Sequence, residues 1–232
     1  MKYKCFVFPG ELEKLGGRVA HIVAPNYEHL RYITDWSNKY PNANLYACPE
    51  LPKRLKLQWT HEFGADGIYN YGDSENTKYL GLDESFEYVW ADYETNPFTG
   101  TPFFNEIVFF HKLSGTVFMA DLFWNYPSSR EPNYFSVTGT GSVHRCSKVP
   151  VDKTDFPPID VPFGTTAWKF GMDKIYLPFY KKLMISPKNA KKYETVVEKI
   201  MSWPIRVIAP CHGDLIAGEE LCKKVLRDHF QI

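Results

Sequence analysis

The amino-acid sequence predicts an α/β protein whose sheet layers are covered by helices. Three observations carry that expectation. Residues 18 to 48 read as strand, helix and strand with short connections, residues 107 to 119 read as a β-hairpin, and residues 187 to 230 read as helix, strand and helix.

Taken in order, Cys5–Phe8 reads as a strand, Pro9-Gly10 as a turn, and Leu12 with Leu15 as a brief helix before the strand Arg18–Val23. Pro25-Asn26 closes that strand, and Asn26 is the candidate N-cap of the next helix. Leu30, Ile33, Trp36 and Tyr40 then recur at steps of three and four, the period of one helix face. Pro41-Asn42 stops the helix, and Leu45–Cys48 reads as the following strand. Residues 62 to 97 hold nine acidic side chains against one basic, Lys78, and read as a mostly irregular acidic excursion tied down by aromatic residues.

Ile107–Phe110 and Thr116–Met119 form the strongest hairpin in the chain, with Gly115 free to take a positive φ at the turn. From about residue 125 to 165 the chain is rich in Pro, Ser, Thr and Gly, with one doubtful strand near Tyr134–Thr138. Met172, Tyr176, Phe179 and Leu183 suggest a helix kinked near Pro178. Ser186 then caps a cleaner helix with Pro187 at its first position and an apolar face of Tyr193, Val196, Val197 and Ile200. Residues 169 to 206 carry nine Lys/Arg against three Asp/Glu, opposite in sign to the acidic excursion, so the two segments could face each other. Ile205–Ala209 is a short strand, and a last helix from about 218 to 230 buries Leu221, Val225, Leu226 and Phe230.

With 232 residues, 44% of them hydrophobic, the chain can fill the core of one substantial domain, expected to span residues 1–232. Lys+Arg and Asp+Glu are both 27, so whole-chain attraction to nucleic acid or to an anionic membrane is not expected. Cys5, Cys48, Cys146, Cys211 and Cys222 are odd in number and lack a CxxC pair, which favours a reducing, cytoplasmic setting over a disulfide framework. No apolar run reaches the length of a membrane span, and the apolar stretch near Met1 is too short for a signal peptide.

Four residues near strand ends can do chemistry. His212 lies just past the strand Ile205–Ala209, and open α/β sheets bind ligands beyond the carboxyl ends of their strands. Asp121 follows Val117–Ala120 and precedes Leu122-Phe123-Trp124, so its carboxylate needs donors or a cation. Glu28 and His29 fall in the expected first turn after Asn26, where free N–H groups favour an ionised carboxylate and a neutral imidazole. Those are the metal-binding forms, although a solvated helix end has the same composition. Two imidazoles and two carboxylates suit Zn²⁺, Mn²⁺ or Fe²⁺. Of the neighbours, Asp214 reads as a solvated loop carboxylate, His111 as a hairpin-packing histidine, and Cys211 as a structural thiol pointing away from His212.

The stretches His21–Leu30, Tyr40–Ala47, Glu106–Asp121 and Ala209–Gly213 resemble an uncharacterised domain family related to the metallo-β-lactamase superfamily. The resemblance covers most of residues 12 to 230 and is weak over 62–97 and 125–165. It implies an αββα sandwich with metal bound at one edge of the sheets. The superfamily's HxHxDH motif, laid on Ala24–His29, places its first two histidines on Ala24 and Asn26, its aspartate on Glu28 and its last histidine on His29. The bridging aspartate falls on Asp121 and the final histidine on His212, while gapless spacing puts the remaining histidine at about Pro102.

One metal position is therefore dismantled, and the second keeps a donor at every place, with glutamate for aspartate. The extra methylene displaces the carboxylate by about 1.5 Å. The resemblance implies one divalent metal (Zn, Mn or Fe) held by Glu28, His29, Asp121 and His212, or none. Its activity would be hydrolysis of a small ester, thioester, amide or phosphoester, with Asp121 and His212 in the catalytic set. The lost histidines support the alternative of a non-catalytic domain that binds a ligand or protein.

Overall fold

The computed structural model describes residues 16–65, 67–71, 82–125, 167, 170–185, 187–212 and 215–232. They form an α/β protein with one four-stranded and one five-stranded sheet, each accompanied by helices. The chain divides into two compact units, Met1–Thr77 and Lys78–Ile232. The strand expected at Cys5–Phe8, the helix about Leu12 and Leu15, the doubtful strand at Tyr134–Thr138 and the cap Ser186 lie outside the described residues. Among the described residues no helix is long and apolar enough to cross a membrane.

In the amino-terminal unit, β1 (His21–Ala24), β2 (Asn44–Ala47) and β3 (His61–Phe63) run parallel, and β4 (Ile68–Asn70) closes the sheet antiparallel to β3. The connection between β1 and β2 contains α1 (Ile33–Lys39), and α2 (Leu51–Arg54) follows β2. Leu45, Tyr46, Ala47 and the following Cys48 are all buried. Such an uninterrupted apolar run is what a central parallel strand, covered on both faces, requires.

Helix α1 starts later than the sequence pattern suggests. The Oδ1 of buried Asn26 accepts the N–H groups of Glu28 and His29, each at 3.1 Å, so Asn26 closes a local turn instead of capping the helix. Glu28 and His29 are exposed on that turn, ahead of Ile33, and the helix-terminus field expected to act on them is absent.

Tyr46 stacks on His61 with ring centroids 4.3 Å apart and meets the edge of His21 at 5.5 Å. Burial, and then the charge of His21, hold the His61 imidazole below its usual range. Because its folded pKa is depressed, His61 costs nothing above pH about 6.5, and stability falls as pH drops through that value and the unfolded chain takes up the proton first. Urea titrations of wild type and His61→Gln at pH 7.5 and 5.5 check this. The acid-induced loss should be smaller in the variant.

The carboxy-terminal unit begins with α3 (Leu82–Ser85), β5 (Phe86–Ala91), β6 (Glu106–His111) and β7 (Thr116–Met119). A π-helical stretch, Gly171–Tyr176, leads into α4 (Leu177–Met184), and a 3₁₀ turn at Pro187–Asn189 leads into α5 (Ala190–Ser202). Strands β8 (Val207–Pro210) and β9 (Ile216–Ala217) and helix α6 (Glu219–Phe230) complete it. The sheet order follows the chain, β5-β6-β7-β8-β9, with β7 and β8 parallel and the other pairs antiparallel. Val196, Val197 and Ile200 of α5 and Cys222, Val225, Leu226 and Phe230 of α6 share one core with Val108, Phe110, Val117 and Ile208 of the sheet.

Two expectations are corrected here. Among its described residues the acidic segment is not mostly irregular: besides β3, β4 and α3 it contains β5, which pairs with β6 along its whole length, from Phe86↔His111 to Ala91↔Glu106. Two of its charges pair with the basic helix as the opposite signs suggested, Asp92 with Lys192 at 2.5 Å and Glu87 with Lys199 at 2.8 Å. On α4, Phe179 is 59% exposed, while Leu177, Tyr180 and Met184 are buried. The preceding π-helical stretch spends more residues per turn and rotates the apolar face, and Pro178 sits in the first turn of α4, directly after that stretch.

The hairpin has the expected turn, with Gly115 at φ +64°. Its carbonyl accepts the N–H groups of Arg206 (2.7 Å) and Val207 (3.1 Å), and a Cβ there would lie 3.0 Å from the Pro204 carbonyl oxygen. Gly115→Ala is therefore expected to cost about 1–3 kcal/mol in a denaturant titration, from left-handed backbone strain and displacement of the chain entering β8.

Candidate metal centre

Strands β7 and β8 pair in register from Thr116↔Val207 to Met119↔Pro210. Asp121 and His212 each lie two residues beyond that last pair, so the register sets them side by side. His212 Nε2 is 3.1 Å from Asp121 Oδ1, with the carboxylate 15% and the imidazole 48% exposed. A carboxylate can only accept, so Nε2 carries the proton and donates.

The backbone around this pair is held at nearly every step. Met119 O accepts the N–H of Cys211 at 2.9 Å, extending the ladder, and Ala120 O accepts the Cys211 thiol at 3.4 Å. Glu106, the first residue of β6, takes the N–H groups of Ala120 (2.7 Å), Asp121 (2.6 Å) and Leu122 (3.0 Å) on its two carboxylate oxygens. Leu122 O accepts from His229 Nε2 at 2.8 Å, which fixes the tautomer of that buried imidazole, packed against the rings of Phe123 and Trp124. Asn125 donates its N–H to His212 O at 2.9 Å, tying the two strand exits together beyond the sheet.

Carboxyl groups are concentrated beneath the pair. Burial, with the charge of Asp121 adding, pushes the Glu106 carboxyl up to about 7 against the three N–H groups that favour its ionised form. Glu94, 3% exposed, is raised well above the carboxylate range by burial and by Glu106, and only the Phe104 N–H opposes this. Its Oε2 has no hydrogen-bond partner among the described residues. Burial and the charges of Glu94 and Asp121 raise Tyr176. Three carboxyls acting on one another in a low-dielectric setting favour uptake of a proton or cation.

Cys211 departs from its expected orientation. It is a half-buried thiol outside any disulfide, and its Sγ lies within 4.8 Å of a ring nitrogen of His212. Strand alternation would have turned the two apart, but β8 ends at Pro210 and the chain bends at 211–212. An imidazole and a thiol on one face offer the borderline-soft donors that Zn²⁺ accepts.

The structure thus joins Asp121 with His212, and His212 with Cys211, in the carboxy-terminal unit. Glu28 and His29 share the Asn26 turn of the amino-terminal unit. Of the positions where the resemblance lacks histidines, Ala24 is buried, Asn26 Oδ1 accepts N–H groups of its own turn, and Pro102 pairs with Thr95 in an isolated bridge. His111 behaves as expected, with Nδ1 2.8 Å from Ser114 Oγ and its ring against Phe86. Asp214 lies outside the described residues.

No protein-family model matches the chain, and no curated protein matches it significantly. The site is therefore read from its own residues.

Four of those residues were missed by sequence reasoning: Glu106, Glu94 and His229 as partners, and Cys211 as a donor. For Glu106 a signal existed. A carboxylate opening the apolar run Ile107-Val108-Phe109-Phe110 is costly to bury and demands N–H donors. For Glu94 and His229 the sequence offers nothing comparable, because their surroundings come from distant segments.

Proposed function

We propose that the chain is a mononuclear metal-dependent hydrolase of a small ester, thioester, amide or phosphoester, acting as one metallo-β-lactamase-like αββα domain. Cys211 and His212 of the carboxy-terminal unit are the proposed metal donors, while Glu28 and His29, read as donors from the sequence, belong to the amino-terminal unit. The observation that carries the reading is the Asp121–His212 pair at the ends of β7 and β8, with the Cys211 thiol beside it.

The residues fit a Zn²⁺-like ion by type. Metal-ligating histidines characteristically donate their second ring N–H to a carboxylate, which orients the ring and raises its basicity. Asp121 would play that part toward Nε2 of His212, which would leave Nδ1 available to a metal. Asp121 thus moves from the ligand set read in the sequence to a role in orienting His212. The cation would supply Lewis-acid polarisation of the substrate oxygen and activation of water. The raised Glu94 and Glu106 carboxyls, close to Asp121, are groups whose ionised forms a bound cation would favour. The partner is a small molecule; the neutral charge balance gives nucleic acid no purchase.

The test is hydrolysis of chromogenic ester, thioester and phosphodiester substrates by chain loaded with Zn²⁺, Mn²⁺ or Fe²⁺. Turnover lost on chelation and restored by the metal is the expected result. Metal uptake without turnover of any class would move the chain to the second reading, a domain that binds without catalysis. That reading is favoured by Asn26, whose buried side chain has become a turn element where the superfamily motif carries a ligand.

A further inference from the structure

Glu106 is 1% exposed, and its two carboxylate oxygens accept three successive backbone N–H groups, those of Ala120, Asp121 and Leu122. Consecutive N–H groups converging on one anion form a nest, the arrangement that elsewhere cradles phosphate. Here an internal carboxylate occupies it. The nest is centred on Asp121, whose own side chain meets His212.

We propose that Glu106 is a positioning residue, which clamps the backbone at Ala120, Asp121 and Leu122 and thereby aims the Asp121 carboxylate at His212. Without the clamp, the chain leaving β7 would have three buried or half-buried donors to satisfy and would turn to find other acceptors. Because the residue at its centre is Asp121, any such turn rotates that carboxylate. The reverse side of the loop is held independently, through the Cys211 thiol on Ala120 O and His229 on Leu122 O, so loss of the clamp reorients the loop without freeing it. The inference rests on the reading of Asp121 and His212 as a functional pair.

The experiment uses Glu106→Gln in the 232-residue chain, without metal, and reads the His212 ring nitrogens by ¹⁵N NMR beside wild type and Asp121→Asn. One oxygen of the glutamine must become an NH₂ group facing N–H donors, so the clamp fails with little change in volume. The His212 ring signals are expected to move toward those of Asp121→Asn. Trp203→Phe, a core change away from the strand exits, should leave them in place. Should Glu106→Gln fail to fold, Glu106→Asp, shorter by one methylene, is expected to move the ring signals in the same direction. Ring signals unchanged from wild type in the folded variant would overturn the proposal, as would an equal shift in Trp203→Phe. A second readout is Zn²⁺ affinity, expected to fall about 10–100-fold. Failure of wild type to take up Zn²⁺ would count against the metal reading alone, since the metal-free ring signals still decide the role of Glu106.

Discussion

His212→Ala is expected to abolish Zn²⁺ binding, while His111→Ala leaves it at the wild-type level. His111 ends β6 and His212 follows β8, two strands of the same sheet with β7 between them, and their surroundings separate them. His212 faces Asp121 and lies near the Cys211 thiol, whereas His111 is engaged by Ser114 and Phe86 on the hairpin. Asp121→Asn should have an intermediate effect, weakening binding about 10–100-fold, since it removes the carboxylate that orients the ring and keeps the shape. Isothermal titration with Zn²⁺ reads all three. Equal loss in His111→Ala and His212→Ala would mean that metal binds without using the strand exits.

Trp203→Ala is expected to cost about 3–5 kcal/mol of unfolding free energy. The ring is 4% exposed, stacks on Phe110 at 5.3 Å with an interplanar angle of 8°, and donates Nε1–H to Glu87 at 2.9 Å. It thus joins the end of α5 to β5 and β6 through both packing and a hydrogen bond. Trp203→Phe keeps much of the stacking and gives up the bond, so about 1 kcal/mol is expected. The Lys199 ammonium, followed by the Trp203 N–H, holds the Glu87 carboxyl below its usual range, and the phenylalanine variant should raise it. Urea unfolding followed by circular dichroism measures the stabilities. A loss below about 1 kcal/mol in the alanine variant would contradict the packing described.

Local periodicity made much of the fold legible. The α5 face of Val196, Val197 and Ile200, the hairpin with Gly115 and the buried run at β2 all follow from neighbours in sequence. Strand β5 was hidden because Glu87 sits within it and the surrounding segment is acidic. That charge is tolerated because Lys199 and Trp203 arrive from far along the chain. The face of α4 was misread for a backbone reason, since a π-helical stretch breaks the 3.6-residue period on which the pattern rests.

The site divides along the same line. Asp121 and His212 were found because each follows a recognisable strand, and the parallel register of β7 and β8 then brings them together. Asn26 was recognised as a capping residue, but its acceptor serves a turn that ends before the helix begins. Cys211 was turned the wrong way by extending strand alternation past the end of β8. Glu94 and His229 owe their roles to segments that meet only after folding.

Metal content tests the central claim most directly. Protein purified without added metal, then equilibrated with Zn²⁺, Mn²⁺ or Fe²⁺ and desalted, is expected to retain about one equivalent by elemental analysis. Retention below about 0.2 equivalents with each ion would contradict the claim that the His212 end of the sheet is a metal centre.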